Sequence, residues 1–88
     1  MKIIKTKIKG VFIIQTKLFK DNRGYFIESY NLKKFKKINI KTTLQDNVSF
    51  NKKKYTFRGL HYQIKPFAQS KLIRVDQGEI LDFILDLR

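Results

Sequence analysis

Glu79-Ile80-Leu81-Asp82-Phe83-Ile84-Leu85-Asp86-Leu87-Arg88 closes the sequence and sets the expectation for its fold. As an extended strand, this stretch turns Leu81, Phe83, Leu85 and Leu87 to one side. Ile80, Asp82, Ile84, Asp86 and Arg88 turn to the other. A row that is apolar throughout needs a second layer to cover it. The sequence stops there without a turn or a polar tail, so the chain is expected to be the first half of a larger β domain cut at the end of a strand.

Working back from that stretch, Gln77-Gly78 reads as a turn, Lys71–Val75 as a strand, and Tyr55–Ile64 as another strand stopped by Pro66. Asn51–Lys54 is a basic turn, and Thr42–Phe50 is a strand candidate through Leu44, Val48 and Phe50. Asn31 has the character of a helix N-cap. After it, Leu32 and Phe35 share a face, while Lys33, Lys34, Lys36 and Lys37 are expected to stay wet, giving one short helix near residues 31–38. Nearer the start, Lys2–Ile8, Val11–Leu18 and the aromatic Tyr25–Tyr30 read as strands. Gly10 breaks the first of these. Asp21-Asn22-Arg23-Gly24 turns the chain, with Asp and Asn supplying local hydrogen bonds and Gly tolerating positive φ. About seven strands and one short helix predict an all-β sandwich or barrel. No repeat, linker or low-complexity segment divides the 88 residues, so they are expected to form part of one domain.

The length bounds the core. A compact chain of this size exposes roughly 5,500 Å², against about 15,400 Å² when extended, which is enough for one modest core. The longest apolar run, Val11–Ile14, is far too short to span a membrane, and the N-terminus lacks the features of a signal peptide. Cysteine is absent, which excludes disulfides, thiolate metal sites and a cysteine nucleophile. The formal net charge is +13, from 20 basic and 7 acidic residues. Such a surface attracts anions, but Arg-rich, aromatic-interleaved elements for nucleic acid are not evident. A Lys- and Ile-rich chain is also what an AT-rich gene tends to encode.

Chemistry has few places to reside. The single histidine, His61, lies in Arg58-Gly59-Leu60-His61-Tyr62-Gln63. A lone histidine is ordinarily structural, but an imidazole in a central strand suits general base work near neutral pH. With few carboxylates nearby it cannot form a three-ligand metal site. Regular alternation would put Arg58 and His61 on opposite faces, so a shared pocket requires a departure from the pleat, most easily at Gly59. Lys71 is a candidate to stabilise an enolate or hold a phosphate. Arg23 and Glu28 bracket an aromatic strand, and Phe26 between them suits either the core or a planar base. Gln45-Asp46-Asn47 places three polar side chains in a strand-like segment, where amides can read hydroxyls or a base edge.

Taken in order, the motifs at 21–30 (Asp-Asn-Arg-Gly-Tyr-Phe-Ile-Glu-Ser-Tyr), 45–47, 58–63 and 68–75 (Ala-Gln-Ser-Lys-Leu-Ile-Arg-Val) closely resemble the dTDP-4-dehydrorhamnose 3,5-epimerase family. The resemblance covers almost the whole chain. It implies a cupin-type β jelly roll, here incomplete, acting as a cytoplasmic homodimer with neither cofactor nor metal. It also implies an isomerase of dTDP-L-rhamnose biosynthesis, which supplies surface polysaccharide. The substrate would be dTDP-4-dehydro-6-deoxy-D-glucose, epimerised at C3 and C5 on either side of its ketone. His61 matches the general base and Lys71 the lysine near the 4-keto oxygen. Arg58 matches a substrate-binding arginine, Arg23 and Glu28 match nucleotide contacts with Phe26 in the same strand, and Gln45, Asp46 and Asn47 match the polar triplet that meets substrate. The N-terminal strand of the family can reach into the partner's site.

Family members are roughly twice this long, and the tyrosine acid and the carboxylate that orients the base fall in the other half. Residues 1–88 are therefore expected to be the N-terminal portion of a single epimerase domain, weakly folded and inactive alone, with sheet edges open to aggregation. Other readings of the same residues are a cupin sugar-nucleotide epimerase acting at one carbon, a truncated relative that only binds, and a small basic nucleic-acid binder.

Overall fold

The computed structural model of the protein describes residues 1–40 and 45–88. It is an incomplete all-β architecture with one short helix. Two antiparallel hairpins, each a separate two-stranded sheet, precede the helix. The chain forms two compact units, Met1–Leu44 and Gln45–Arg88.

In the first unit, β1 (Lys2–Lys5) pairs with β2 (Phe12–Gln15), with Ile3 opposite Ile14 and Ile4 opposite Ile13. The strand expected over Lys2–Ile8 stops at Lys5 because Thr6 folds the turn. Its Oγ1 accepts from the Ile8 amide at 3.1 Å and lies 3.0 Å from the Val11 carbonyl oxygen. The Thr6 amide donates to the same Val11 carbonyl, and Gly10 takes φ 84° where the break was expected. Val11–Leu18 is not one strand: β2 ends at Gln15, and Leu18 opens β3 (Leu18–Asp21) of the second hairpin.

β3 pairs with β4 (Gly24–Ile27), Phe19 facing Phe26 and Lys20 facing Tyr25. Asp21 opposite Gly24 is the last pair, so Asn22-Arg23 is a two-residue loop. The Arg23 amide donates to Asp21 Oδ1 at 2.9 Å, the local side-chain bond that this turn chemistry predicts. Gly24 has φ 136°, a backbone that a Cβ would strain. The strand expected over Tyr25–Tyr30 ends at Ile27, because Glu28–Tyr30 lead into the helix cap.

Asn31 is that cap. Its backbone is extended, and its Oδ1 accepts from the Lys34 amide at 3.2 Å. The helix α1 (Leu32–Phe35) continues as a 3-10 turn, Lys36–Ile38. It closes with Asn39 left-handed at φ 63° and a bond from the Ile40 amide to the Phe35 carbonyl, a Schellman arrangement. Phe35 is fully buried, its ring 4.9 Å from that of Tyr30. Leu32, expected to share that buried face, is 39% exposed. Of the lysines expected to stay wet, Lys34 is half-buried.

The second unit holds turns but, among the described residues, no strand or helix. Part of the strand expected over Thr42–Phe50, residues 42–44, lies outside the described residues; 45–50 form no ladder. The strands expected over Tyr55–Ile64, Lys71–Val75 and Glu79–Leu87 are not formed, and every residue from 45 to 88 is exposed. The physical reason is the one raised by the closing stretch. Leu81, Phe83, Leu85 and Leu87 are 62–80% exposed, so neither a covering layer nor a ladder partner rewards the extended backbone. Pro66 does end its segment, in a turn where the Phe67 amide donates to the Ile64 carbonyl at 2.8 Å.

Candidate functional site

The N-terminal unit carries Arg23, Phe26 and Glu28. The β3–β4 register sets Phe26 beside Phe19 on one face, and both rings are half or more exposed. With Asp21 and Arg23 they border a shallow groove of about 380 Å³. Lys17 Nζ sits 4.9 Å from the Phe19 ring centre, a cation over an aromatic face. Arg23 is not left loose: its guanidinium meets Asp21 Oδ2 through Nη2 at 2.6 Å and Nε at 3.3 Å. That pairing holds the Asp21 carboxyl below its usual range and raises the arginine further. An exposed aromatic pair beside a cation is suited to a planar base bearing a phosphate.

Glu28 lies just past β4 and is engaged at both oxygens. Lys34 Nζ donates to Oε1 at 2.5 Å, and Asn31 Nδ2 donates to Oε2 at 3.1 Å. The Lys34 bond first, and the Asn31 bond second, keep its carboxyl below the ordinary value of 4.5.

The C-terminal unit carries Gln45, Asp46, Asn47, Arg58, His61 and Lys71, all exposed. Gln45 Nε2 donates to Asn47 Oδ1 at 3.1 Å, so the outer members of the polar triplet brace each other. Arg58 Nε donates to Asn51 Oδ1 at 2.7 Å and Nη2 to the Phe50 carbonyl at 3.3 Å, which ties the arginine to the turn that precedes it. Gly59, where a bulge was expected if Arg58 and His61 shared a pocket, lies in an irregular segment with no strand to depart from. Gly59 has φ 123°, and a Cβ there would lie 3.4 Å from His61 Nδ1. Glycine thus meets two needs, a positive φ and room for the imidazole. No hydrogen bond reaches the His61 ring among the described residues, nor does one join Arg58, His61 and Lys71. Among the described residues no cluster of three or more His, Cys, Asp or Glu side chains offers a metal site. No helix among them is long and apolar enough to cross a membrane.

Two partners are not apparent from the sequence, Asn51 for Arg58 and Lys34 for Glu28. They are seven and six residues apart, beyond the nearest-neighbour spacings of a helix or a strand, so the pairing depends on the turns between them.

The sequence pattern that defines the dTDP-4-dehydrorhamnose 3,5-epimerase family matches residues 5–88. The chain belongs to that family. It is 46% identical over 90 residues to the dTDP-4-dehydrorhamnose 3,5-epimerase of Shigella flexneri, covering 100% of this chain and 49% of that protein. It is 47% identical over 90 residues to the Salmonella typhimurium enzyme of the same name, with the same shares covered. The Methanothermobacter thermautotrophicus enzyme of that name is 40% identical over 88 residues, which cover 99% of this chain and 46% of that protein. The chain spans about half the length of the curated relatives it matches. No solved structure matches it significantly.

Proposed function

We propose that this chain carries the base-bearing and nucleotide-binding part of a dTDP-4-dehydrorhamnose 3,5-epimerase, an isomerase that works in the cytoplasm as a homodimeric cupin-type jelly roll and serves polysaccharide biosynthesis. The observation that carries this reading is the family match over residues 5–88, which includes every motif that bears chemistry. The substrate is dTDP-4-dehydro-6-deoxy-D-glucose. Arg23 and Arg58 attract the diphosphate, Phe26 stacks on the base, Glu28 accepts from a nucleoside donor, and Gln45, Asp46 and Asn47 read sugar hydroxyls.

A proton beside a ketone is weakly acidic, so removal needs a base and a charge stabiliser together. The neutral His61 imidazole takes the proton from C3 or C5. The C–H electron pair moves into the ring as the enolate forms, and the Lys71 ammonium opposes the charge that develops on the 4-keto oxygen. Neither role calls on a metal or cofactor. Return of a proton on the opposite face requires an acid, which the resemblance implies is supplied from outside residues 1–88. Return on the same face requires only the protonated His61.

The test follows from that division. Residues 1–88 alone are expected to bind dTDP without turning over the 4-keto sugar. Joined to the remaining half of the Shigella flexneri relative, they are expected to carry deuterium from D₂O into C3 and C5, as read by NMR. His61→Ala should abolish that exchange and Lys71→Met should slow it. A joined protein that shows neither exchange nor dTDP binding would overturn the proposal.

A further inference from the structure

The Glu28 hydrogen bonds form a closed device instead of an isolated surface ion pair. One side chain, Asn31, does two things at once. Its Oδ1 caps α1 through the Lys34 amide, and its Nδ2 donates to Glu28 Oε2. The same cap orients the first turn so that the Lys34 side chain returns to Glu28 Oε1. Lys34 and Glu28 are 42% and 38% exposed at the side chain, unlike Lys33, Lys36 and Lys37 on the wet face. A carboxylate has about four acceptor positions across its two oxygens. Two are used here, one on each oxygen, so the group is fixed in orientation while retaining acceptor capacity.

We propose that Lys34, seated by the Asn31 cap, is a positioning residue for Glu28: it holds the carboxylate as an oriented acceptor for a hydroxyl or N–H donor of the nucleoside. The inference rests on the nucleotide-binding reading of Glu28 given above, and adds two residues which that reading does not contain. The selectivity that results is chemical. A carboxylate kept ionised by an ammonium and an amide accepts and does not donate, so it favours a ligand edge bearing a proton.

The experiment uses the 88-residue chain, dTDP as probe, and ¹³C NMR of the Glu28 carboxyl. Lys34→Met is expected to weaken dTDP binding by about threefold to tenfold, the scale on which a charge-assisted hydrogen bond to the ligand weakens when its acceptor is no longer held in place. It should also move the Glu28 titration up toward 4.5. Lys34→Arg should restore both. Asn31→Ser keeps an N-cap oxygen but removes the Nδ2 donor, so it should weaken binding while leaving the helical circular-dichroism signal in place. If Glu28→Gln weakens dTDP binding but Lys34→Met leaves both the affinity and the carboxyl titration unchanged, the positioning role is overturned and the nucleotide reading stands. If the wild-type chain does not bind dTDP, or Glu28→Gln changes nothing, both fall.

Discussion

Two hairpins and a capped helical turn occupy residues 1–40, whereas residues 45–88 hold turns and side-chain hydrogen bonds without a ladder. Both stretches alternate apolar and polar residues, so alternation does not explain the difference. The turns account for part of it, and the missing covering layer for the rest. At Thr6 a hydroxyl accepts from the backbone two residues on, and at Asp21 a carboxylate does the same for the Arg23 amide. Each fixes a reversal that brings neighbouring strands together. The corresponding acid before Gln77-Gly78 is Asp76, whose Oδ1 accepts from Arg74 Nε at 2.7 Å; no bond from it to the turn backbone forms among the described residues. An isolated hairpin is marginal in water, so such a lock helps where a strand on each side can pair; the same bond from the Arg88 amide to Asp86 Oδ1 at 3.0 Å stands beside no ladder. The first region also buries a side chain, Phe35, and the second leaves Leu81 80% exposed.

The contrast can be broken most directly at Phe35. Phe35→Ala is expected to cost about 3 kcal/mol or more, the usual range for truncating a buried phenyl ring. That should abolish the helical circular-dichroism signal and loosen the hairpins, while the amide NMR spectrum of 45–88 stays as it is. A change spread over both regions would show that they are not separable. Gly24→Ala should be the next largest, about 1–2 kcal/mol for a Cβ forced to a positive φ. Hydrogen exchange should then accelerate in β3 and β4 and not in β1 and β2.

Thr6→Val sharpens the comparison from the other hairpin. It keeps shape but removes the hydroxyl, and about 1 kcal/mol is expected. Exchange should rise across β1 and β2, bringing that segment toward the behaviour of residues 45–88. Retention of full protection would rule out the hydroxyl as the lock.

Acid gives the smallest effect and should touch both regions through their exposed ion pairs. Glu28 and Asp21 have folded values below the ordinary 4.5 and 3.8, and Asp86 is held at about 2 by Arg88. A lowered carboxyl contributes stability that is complete above its ordinary value and lost as pH falls through the folded one. Titration from about pH 5 to about pH 2 should therefore release Glu28 from Lys34 and Asp21 from Arg23 in the first region, with Asp86 among the last groups to protonate. Added salt should shrink the whole response, since these pairs lie at the surface. A large, salt-independent acid transition would contradict it.

Much of the first region was legible because its determinants are neighbours in sequence. Asn31 as N-cap, Asp21–Gly24 as a turn and Gly10 as a break each depend on residues within a few positions. The candidate site was legible as motifs, Arg58 to Gln63 above all, because family membership resides in residue types and order. What was not legible is who holds whom. Arg58 on Asn51 and Glu28 on Lys34 are pairings across seven and six residues, beyond the nearest-neighbour spacings of a helix or a strand, and only the intervening turns bring them together.

By itself the sequence determined an all-β chain with one short helix, the absence of cysteine, and membership of the dTDP-4-dehydrorhamnose 3,5-epimerase family. Those follow from local propensity, composition and residue identity, which need no partner to be expressed. Only the tertiary structure decided which apolar rows became strands, that Phe35 alone is fully buried among the described residues, and that Lys34 turns back to Glu28 instead of out to water. A strand exists only when a second strand takes its hydrogen bonds, and a charge is held only when folding brings its counterpart within reach; both depend on which segments meet, and that is a property of the folded chain.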